Sequence, residues 1–180
     1  ARRYVSMAYD AARRRIVLFG GRTGSSQFRD TWEYYLADPA AFETFGTGCA
    51  SSVGAFTLDN AVGSLPWIGQ PFTVHLDGLP TFGFNVPFAM MGFSDQSWQG
   101  LPLPFDLALI GAPGCPVLVS FDLSFQLVNL GGTASFVFTA PADQTLIGRE
   151  FYLQGVVLDA LANPLGLATS NAGEVRIGLR

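Results

Sequence analysis

Phe121-Asp122-Leu123-Ser124-Phe125-Gln126-Leu127 and, beyond the break at Gly131-Gly132, Thr133-Ala134-Ser135-Phe136-Val137-Phe138-Thr139 decide the fold class. In the first run Phe121, Leu123, Phe125 and Leu127 alternate with Asp122, Ser124 and Gln126. In the second, Ala134, Phe136 and Phe138 alternate with Thr133, Ser135 and Thr139. Successive side chains of a strand point to opposite faces, so a period of two with one apolar set describes a half-buried strand. The pattern recurs outward in both directions. Phe72, Val74 and Leu76 oppose Thr73, His75 and Asp77, and Val175, Ile177 and Leu179 oppose Glu174, Arg176 and Arg180. The strand candidates are Ala55–Asp59, Phe72–Asp77, Val86–Phe93, Pro116–Ser120, Leu123–Asn129, Thr133–Ala140, Glu150–Ala160 and Glu174–Leu179. Short strands at spacings of roughly ten residues, with hardly any helical periodicity, predict an all-β fold, an antiparallel β-sandwich of Ig-like or jelly-roll-like kind over residues 46–180. The Pro/Gly-rich stretch between Gly100 and Gly114 reads as a long ordered loop.

The segment 1–45 reads differently. Val5, Met7 and Tyr9 alternate with Ser6 and Ala8; Ile16-Val17-Leu18-Phe19 is a continuous apolar run, the mark of a central strand; Trp32, Tyr34 and Leu36 alternate with Thr31, Glu33 and Tyr35. Asp38-Pro39 is a break. These three strands carry apolar faces but have too few neighbours in the segment to bury them.

Composition narrows the function classes. The chain is 49% hydrophobic and only 13% charged, too apolar for disorder, and no apolar run reaches the length of about 18 residues that a membrane-spanning helix requires. All ten basic residues are Arg. A net charge of −4 and a pI near 4.8 argue against nucleic acid as a partner. So bare a surface suits burial against further copies of the chain, and it equally suits a Lys-poor, Ser/Thr/Gly-coated secreted protein. Cys49 and Cys115 form no metal-ligand spacing, and with one His they are too few for a metal site. They read as a structural disulfide, two free core thiols being the other reading. No cofactor fingerprint, P-loop or calcium loop is present. No signal peptide is visible, and the segment reads as a mature or trimmed product.

Residues 4–36 resemble a single kelch repeat. The resemblance is carried by Met7-Ala8-Tyr9-Asp10, Arg15-Ile16-Val17-Leu18-Phe19-Gly20-Gly21 and Asp30-Thr31-Trp32-Glu33-Tyr34. It implies a blade of a β-propeller, yet one blade cannot bury its own faces and no second copy follows. Residues 46–180 are similar to a C-terminal module of secreted bacterial proteins. This likeness rests on Gly46-Thr47-Gly48-Cys49, Gly92-Phe93-Ser94 with Trp98, Leu101-Pro102-Leu103-Pro104-Phe105-Asp106-Leu107, Gly111-Ala112-Pro113-Gly114-Cys115 and Asn163-Pro164-Leu165-Gly166-Leu167-Ala168-Thr169-Ser170-Asn171. It implies an extracellular or cell-surface location and a fold, with no catalytic role.

Candidate chemistry is sparse, and no catalytic residue is assigned. His75 is the lone histidine, no Gly-x-Ser-x-Gly elbow accompanies it, and on the alternation it faces away from the core. The acids are scattered, and a hydrolase would need two of them opposed in space. Trp67 and Trp98, with Tyr152, are candidates for an aromatic platform under a sugar ring, with Asp95, Gln96 and Gln99 supplying hydrogen bonds; the other reading has Trp98 plugging the end of the sandwich. Arg13-Arg14-Arg15 marks a hairpin tip, solvated or paired with an anionic partner.

The expected function is that of a non-enzymatic extracellular structural subunit. It would assemble with copies of itself, as a filament or surface layer, through Val5, Met7, Tyr9, Ile16, Val17, Leu18, Phe19, Trp32 and Tyr34, because apolar strands with open edges must be covered or they associate. The alternative is a module that binds carbohydrate or a cell-surface polysaccharide, trimmed from a larger kelch-propeller protein.

Overall fold

A computed structural model describes residues 2–11, 15–35 and 39–179. Arg13, Arg14, Leu36, Asp38 and Arg180, singled out above, lie outside the described residues. The chain divides into two compact units, Ala1–Asp38 and Pro39–Arg180, and each is all-β.

In the first unit, β1 (Ser6–Asp10), β2 (Arg15–Phe19) and β3 (Thr31–Tyr35) form one antiparallel sheet in the order β1-β2-β3. The continuous apolar run of β2 is indeed central, flanked by the two alternating strands. A two-residue hairpin, Arg22–Thr23 against Ser26–Gln27, sits between β2 and β3. Its approach is set by Gly20 and Gly21, both at positive φ (65° and 95°), which glycine adopts without steric cost.

The second unit is the sandwich. Its strands are β4 (Ala41–Phe45), β5 (Thr57–Asn60), β6 (Pro71–Asp77), β7 (Asn85–Gly92), β8 (Leu123–Gln126), β9 (Thr133–Thr139), β10 (Glu150–Asp159) and β11 (Leu167–Arg176). One sheet has the order β9-β6-β5 and the other β8-β7-β10-β11-β4, all neighbours antiparallel. The two runs that opened the sequence reading therefore belong to opposite sheets, and the chain crosses between layers through Leu127–Gly132. The alternation expected for β6 holds: Phe72, Val74 and Leu76 are buried and Thr73, His75 and Asp77 are not. These residues meet Ala89, Met91, Phe136, Phe151, Leu153, Val157 and Val175 in one core between the sheets.

Two boundaries differ from the sequence reading. Ala41–Phe45, assigned to the N-terminal segment 1–45, pairs along β11 and so belongs with the sandwich. The last strand runs Leu167–Arg176 rather than Glu174–Leu179. Its first half, Ala168-Thr169-Ser170-Asn171-Ala172-Gly173, has no large apolar residue to alternate. It is a strand because its small side chains fit where other chain segments approach closely. Cys49 N–H donates to the Thr169 carbonyl at 2.9 Å, and a Cβ on Gly48 would stand only 1.8 Å from that oxygen. Gly92 is confined in the same way, a Cβ there falling 2.0 Å from the Ser120 carbonyl oxygen.

The outer face of the five-stranded sheet is covered by the excursion 93–121. Leu118 and Val119 pack there on Ala172, with Phe45, Phe121 and Tyr152 around them. A buried amide fastens the excursion: Gln154 accepts from Leu118 N–H at 2.9 Å and donates to the Pro116 and Ser170 carbonyls at 3.0 and 2.9 Å. Cys49 and Cys115 are joined in a disulfide across 66 residues of sequence, which pins the same excursion to the start of the unit. No helix among the described residues is long and apolar enough to cross a membrane.

Candidate functional site

In the first unit the strand register sorts the nine residues assigned to assembly. Met7, Leu18 and Trp32 lie in one cross-strand row and Tyr9, Ile16 and Tyr34 in the next row on the same face. Val17 and Phe19 fall on the opposite face, Val17 in a row with Ala8 and Glu33, Phe19 in a row with Ser6 and Thr31. Val5 precedes β1 and is half-buried against Gly21, where an added Cβ would meet its Cγ1 at 2.6 Å. These two rows thus carry six large apolar side chains and no charged residue. Met7, Tyr9, Trp32 and Tyr34 are 67%, 55%, 54% and 69% exposed. Among the described residues the unit has no second layer of its own to set against them.

The polar residues of the unit hold this face in shape. On the reverse side Arg15 pairs with Glu33 and, at 3.7 Å, with Asp10, tying all three strands together. Arg2 forms a bidentate pair with Asp30 at 2.5 and 2.6 Å, and its guanidinium lies over the rings of Phe28 and Trp32. The Trp32 indole N–H donates at 2.8 Å to Asp30 Oδ2, the oxygen that also accepts from Arg2 Nη2. The Arg2 hydrogen bonds, reinforced by Trp32, hold the Asp30 carboxyl well below the usual carboxylate range, so it remains an acceptor throughout the physiological range. Trp32 is consequently an exposed aromatic that is already oriented, and ordering it on contact costs little further entropy.

The sugar-platform residues are placed otherwise. Trp98 sits in a tight hairpin, Ser97–Trp98 against Leu101–Pro102, turned by Gln99 and Gly100 at positive φ. Its ring packs on Phe121 at 5.3 Å, so it closes the outer layer. Trp67 is half-buried, in a bridge to Gly178. Tyr152 stacks edge-on with Phe45 at 6.2 Å. Trp67 and Trp98 are not brought together into a paired exposed face.

His75 faces outward as expected and lies in a row with Asp59 on one side and Ser135 on the other. Its Nδ1 is 3.0 Å from the Ser135 hydroxyl. The row has the residue types of a nucleophilic triad but not its wiring. The serine occupies the nitrogen that a triad reserves for its carboxylate, and the row lies on the outward face of the sheet. Asp106, within the Leu-Pro-Leu-Pro-Phe-Asp stretch, caps a short 3-10 helix by accepting from Ala108 N–H at 2.7 Å. Asp159 is buried; burial alone would raise its carboxyl, but bonds from Ser52 and Leu161 N–H outweigh it and hold it low. Among the described residues no cluster of His, Cys, Asp and Glu is arranged to hold a metal ion. A feature the sequence reading missed is the carboxylate group on the outer sheet face. Glu43 and Glu174 are cross-strand partners, and burial, with Glu150, Glu43 and Asp95 nearby, pushes the Glu174 carboxyl up against the opposing pull of Arg176.

No protein-family model, no curated protein and no solved structure matches this chain.

Proposed function

We propose that this chain is a non-enzymatic extracellular structural subunit that associates with copies of itself through its N-terminal sheet, building a filament or surface layer. The observation that carries the reading is the apolar face of Met7, Tyr9, Trp32 and Tyr34, each more than half exposed on a sheet with no covering layer in its unit. Contiguous exposed apolar surface of this kind marks an interaction site. The Cys49–Cys115 disulfide supports an oxidising, extracellular setting. The three strands with Gly20-Gly21 at their turn support reading the N-terminal unit as one kelch-like element that takes its missing neighbours from another chain. A polysaccharide-binding module ranks second, since Trp67 and Trp98 are partly buried rather than presented.

Electron micrographs of the full chain and of the Trp32→Glu/Tyr34→Glu variant test the proposal. Both positions are exposed, but Trp32 also donates to Asp30, so circular dichroism checks that the variant is folded. Extended polymers of the wild-type chain, lost in the variant, are the expected result. Dispersed single particles of the wild-type chain would overturn it.

A further inference from the structure

Two open strand edges lie on one side of the sandwich. β8 ends the five-stranded sheet, β9 ends the three-stranded sheet, and the two are joined by the contact of Phe125 with Phe136, ring centres 4.9 Å apart. Leu123 and Phe125 are 48% and 37% exposed along this seam, and Val137 is 57% exposed on the outer face of β9. β9 is seven residues long with a single neighbour, β6. Sheet edges are normally guarded by charge, proline, bulges or shortness. The other edges obey this rule: β5 has four residues and carries Asp59, and β4 carries Glu43. β9 has none of these guards, and residues 123–140 contain no charged residue at all.

The charge of the chain is also divided. Residues 1–38 hold seven Arg (2, 3, 13, 14, 15, 22, 29) against four acids (10, 30, 33, 38), a net +3. Residues 39–180 hold three Arg (149, 176, 180) against ten acids, a net −7, and the two sum to the −4 of the whole. The first unit of one copy is therefore attracted to the second unit of another and repelled by its own kind.

We infer that the β9 edge, with the adjoining Phe125 seam, is the acceptor for the N-terminal sheet of a second copy, whose edge strand β1 or β3 adds alongside β9. The inference rests on the self-association reading above and names its other half. The donor strands, five residues each, fit within the seven of β9. Backbone pairing supplies the join, the apolar face of the added sheet extends over the seam, and opposite net charges set the orientation. Donor and acceptor are different surfaces, so every joined copy leaves one of each free and the contact propagates head to tail.

The test uses three full-length chains in sedimentation velocity, with circular dichroism confirming the fold of each. They are the wild type, an acceptor variant Ser135→Lys/Val137→Lys, and the donor variant Trp32→Glu/Tyr34→Glu. The lysines point outward from β9 and place a guard and a like charge against the incoming unit. Wild type forms polymers, each variant alone is monomeric, and an equal mixture of the two variants forms a dimer that grows no further. A folded acceptor variant that still polymerises, or variants that stay apart when mixed, would overturn the acceptor while leaving self-association intact; a monomeric wild type would overturn both. As a readout independent of charge, Ser135→Cys combined with Ala8→Cys or with Thr31→Cys gives intermolecular disulfide ladders from at least one pair, and polymers without a ladder from either contradict the inference.

Discussion

The two units begin from the same sequence pattern and end in opposite conditions. In β6 the alternating set Phe72, Val74 and Leu76 is sealed between two sheets, each side chain at most 2% exposed. In β1 and β3 the alternating set Met7, Tyr9, Trp32 and Tyr34 stands more than half exposed. Alternation specifies that a strand has an apolar face. It does not specify whether the layer that covers that face lies in the same chain. The sandwich supplies its own second layer and adds an amide staple and a disulfide; the N-terminal sheet has one layer among its described residues, fastened by partly exposed ion pairs.

If the sandwich is the self-sufficient partner, it should lose heavily when its own fastenings are cut. Replacing Cys49 and Cys115 by Ser frees a loop of 66 residues, and loop-closure entropy puts the loss at about 4 kcal/mol in chemical denaturation. A loss under about 1 kcal/mol would show that the excursion 93–121 is held without the bond.

A matched pair of truncations sharpens the contrast. Leu76→Ala removes a side chain that is 1% exposed and should cost about 2–5 kcal/mol. Tyr34→Ala removes a larger one and should change the unfolding free energy of the dispersed chain by no more than about 0.5 kcal/mol. Comparable costs at the two positions would mean that the N-terminal face is already covered.

The smallest effect concerns pH. Burial, with Glu150, Glu43 and Asp95, raises the Glu174 carboxyl, so the folded state binds that proton more tightly than the unfolded chain does. The charged form therefore destabilises at neutral pH, and the penalty fades as pH falls through the raised value. Glu174→Gln should stabilise by less than about 1 kcal/mol at pH 7, where the group is partly screened by solvent. The gain should vanish at about pH 3, below the ordinary glutamate value of about 4.3, where the carboxyl is protonated in both states. Asp159 works in the opposite sense: it is held low by Ser52 and Leu161, so its contribution is present at neutral pH and is lost on acidification. A Glu174→Gln gain that persists undiminished at about pH 3 would rule out the electrostatic cause.

Much of this architecture is legible from alternation alone, β6 and β9 above all, because each has one large apolar set, while β7 and β10 carry apolar residues on both faces. The first half of β11 is not, since Ala168, Ser170 and Ala172 are buried by close approach of other backbone rather than by hydrophobic bulk. Ala41–Phe45 could not be assigned to the sandwich without its partner β11, which lies far away in sequence. The candidate site was legible in its membership but not in its sidedness. β2 is apolar on both faces, so only the register separates Ile16 and Leu18 from Val17 and Phe19. The pre-ordering of Trp32 by Arg2 and Asp30 depends on residues from both ends of the unit, a relation that no local pattern carries.

Sedimentation velocity of the unmodified chain over a range of micromolar concentrations tests the central claim most directly. Growth into large species with rising concentration, weakened by added salt as the opposed charges of the two units are screened, is the predicted result. A single boundary at 19.3 kDa across the whole range would contradict it.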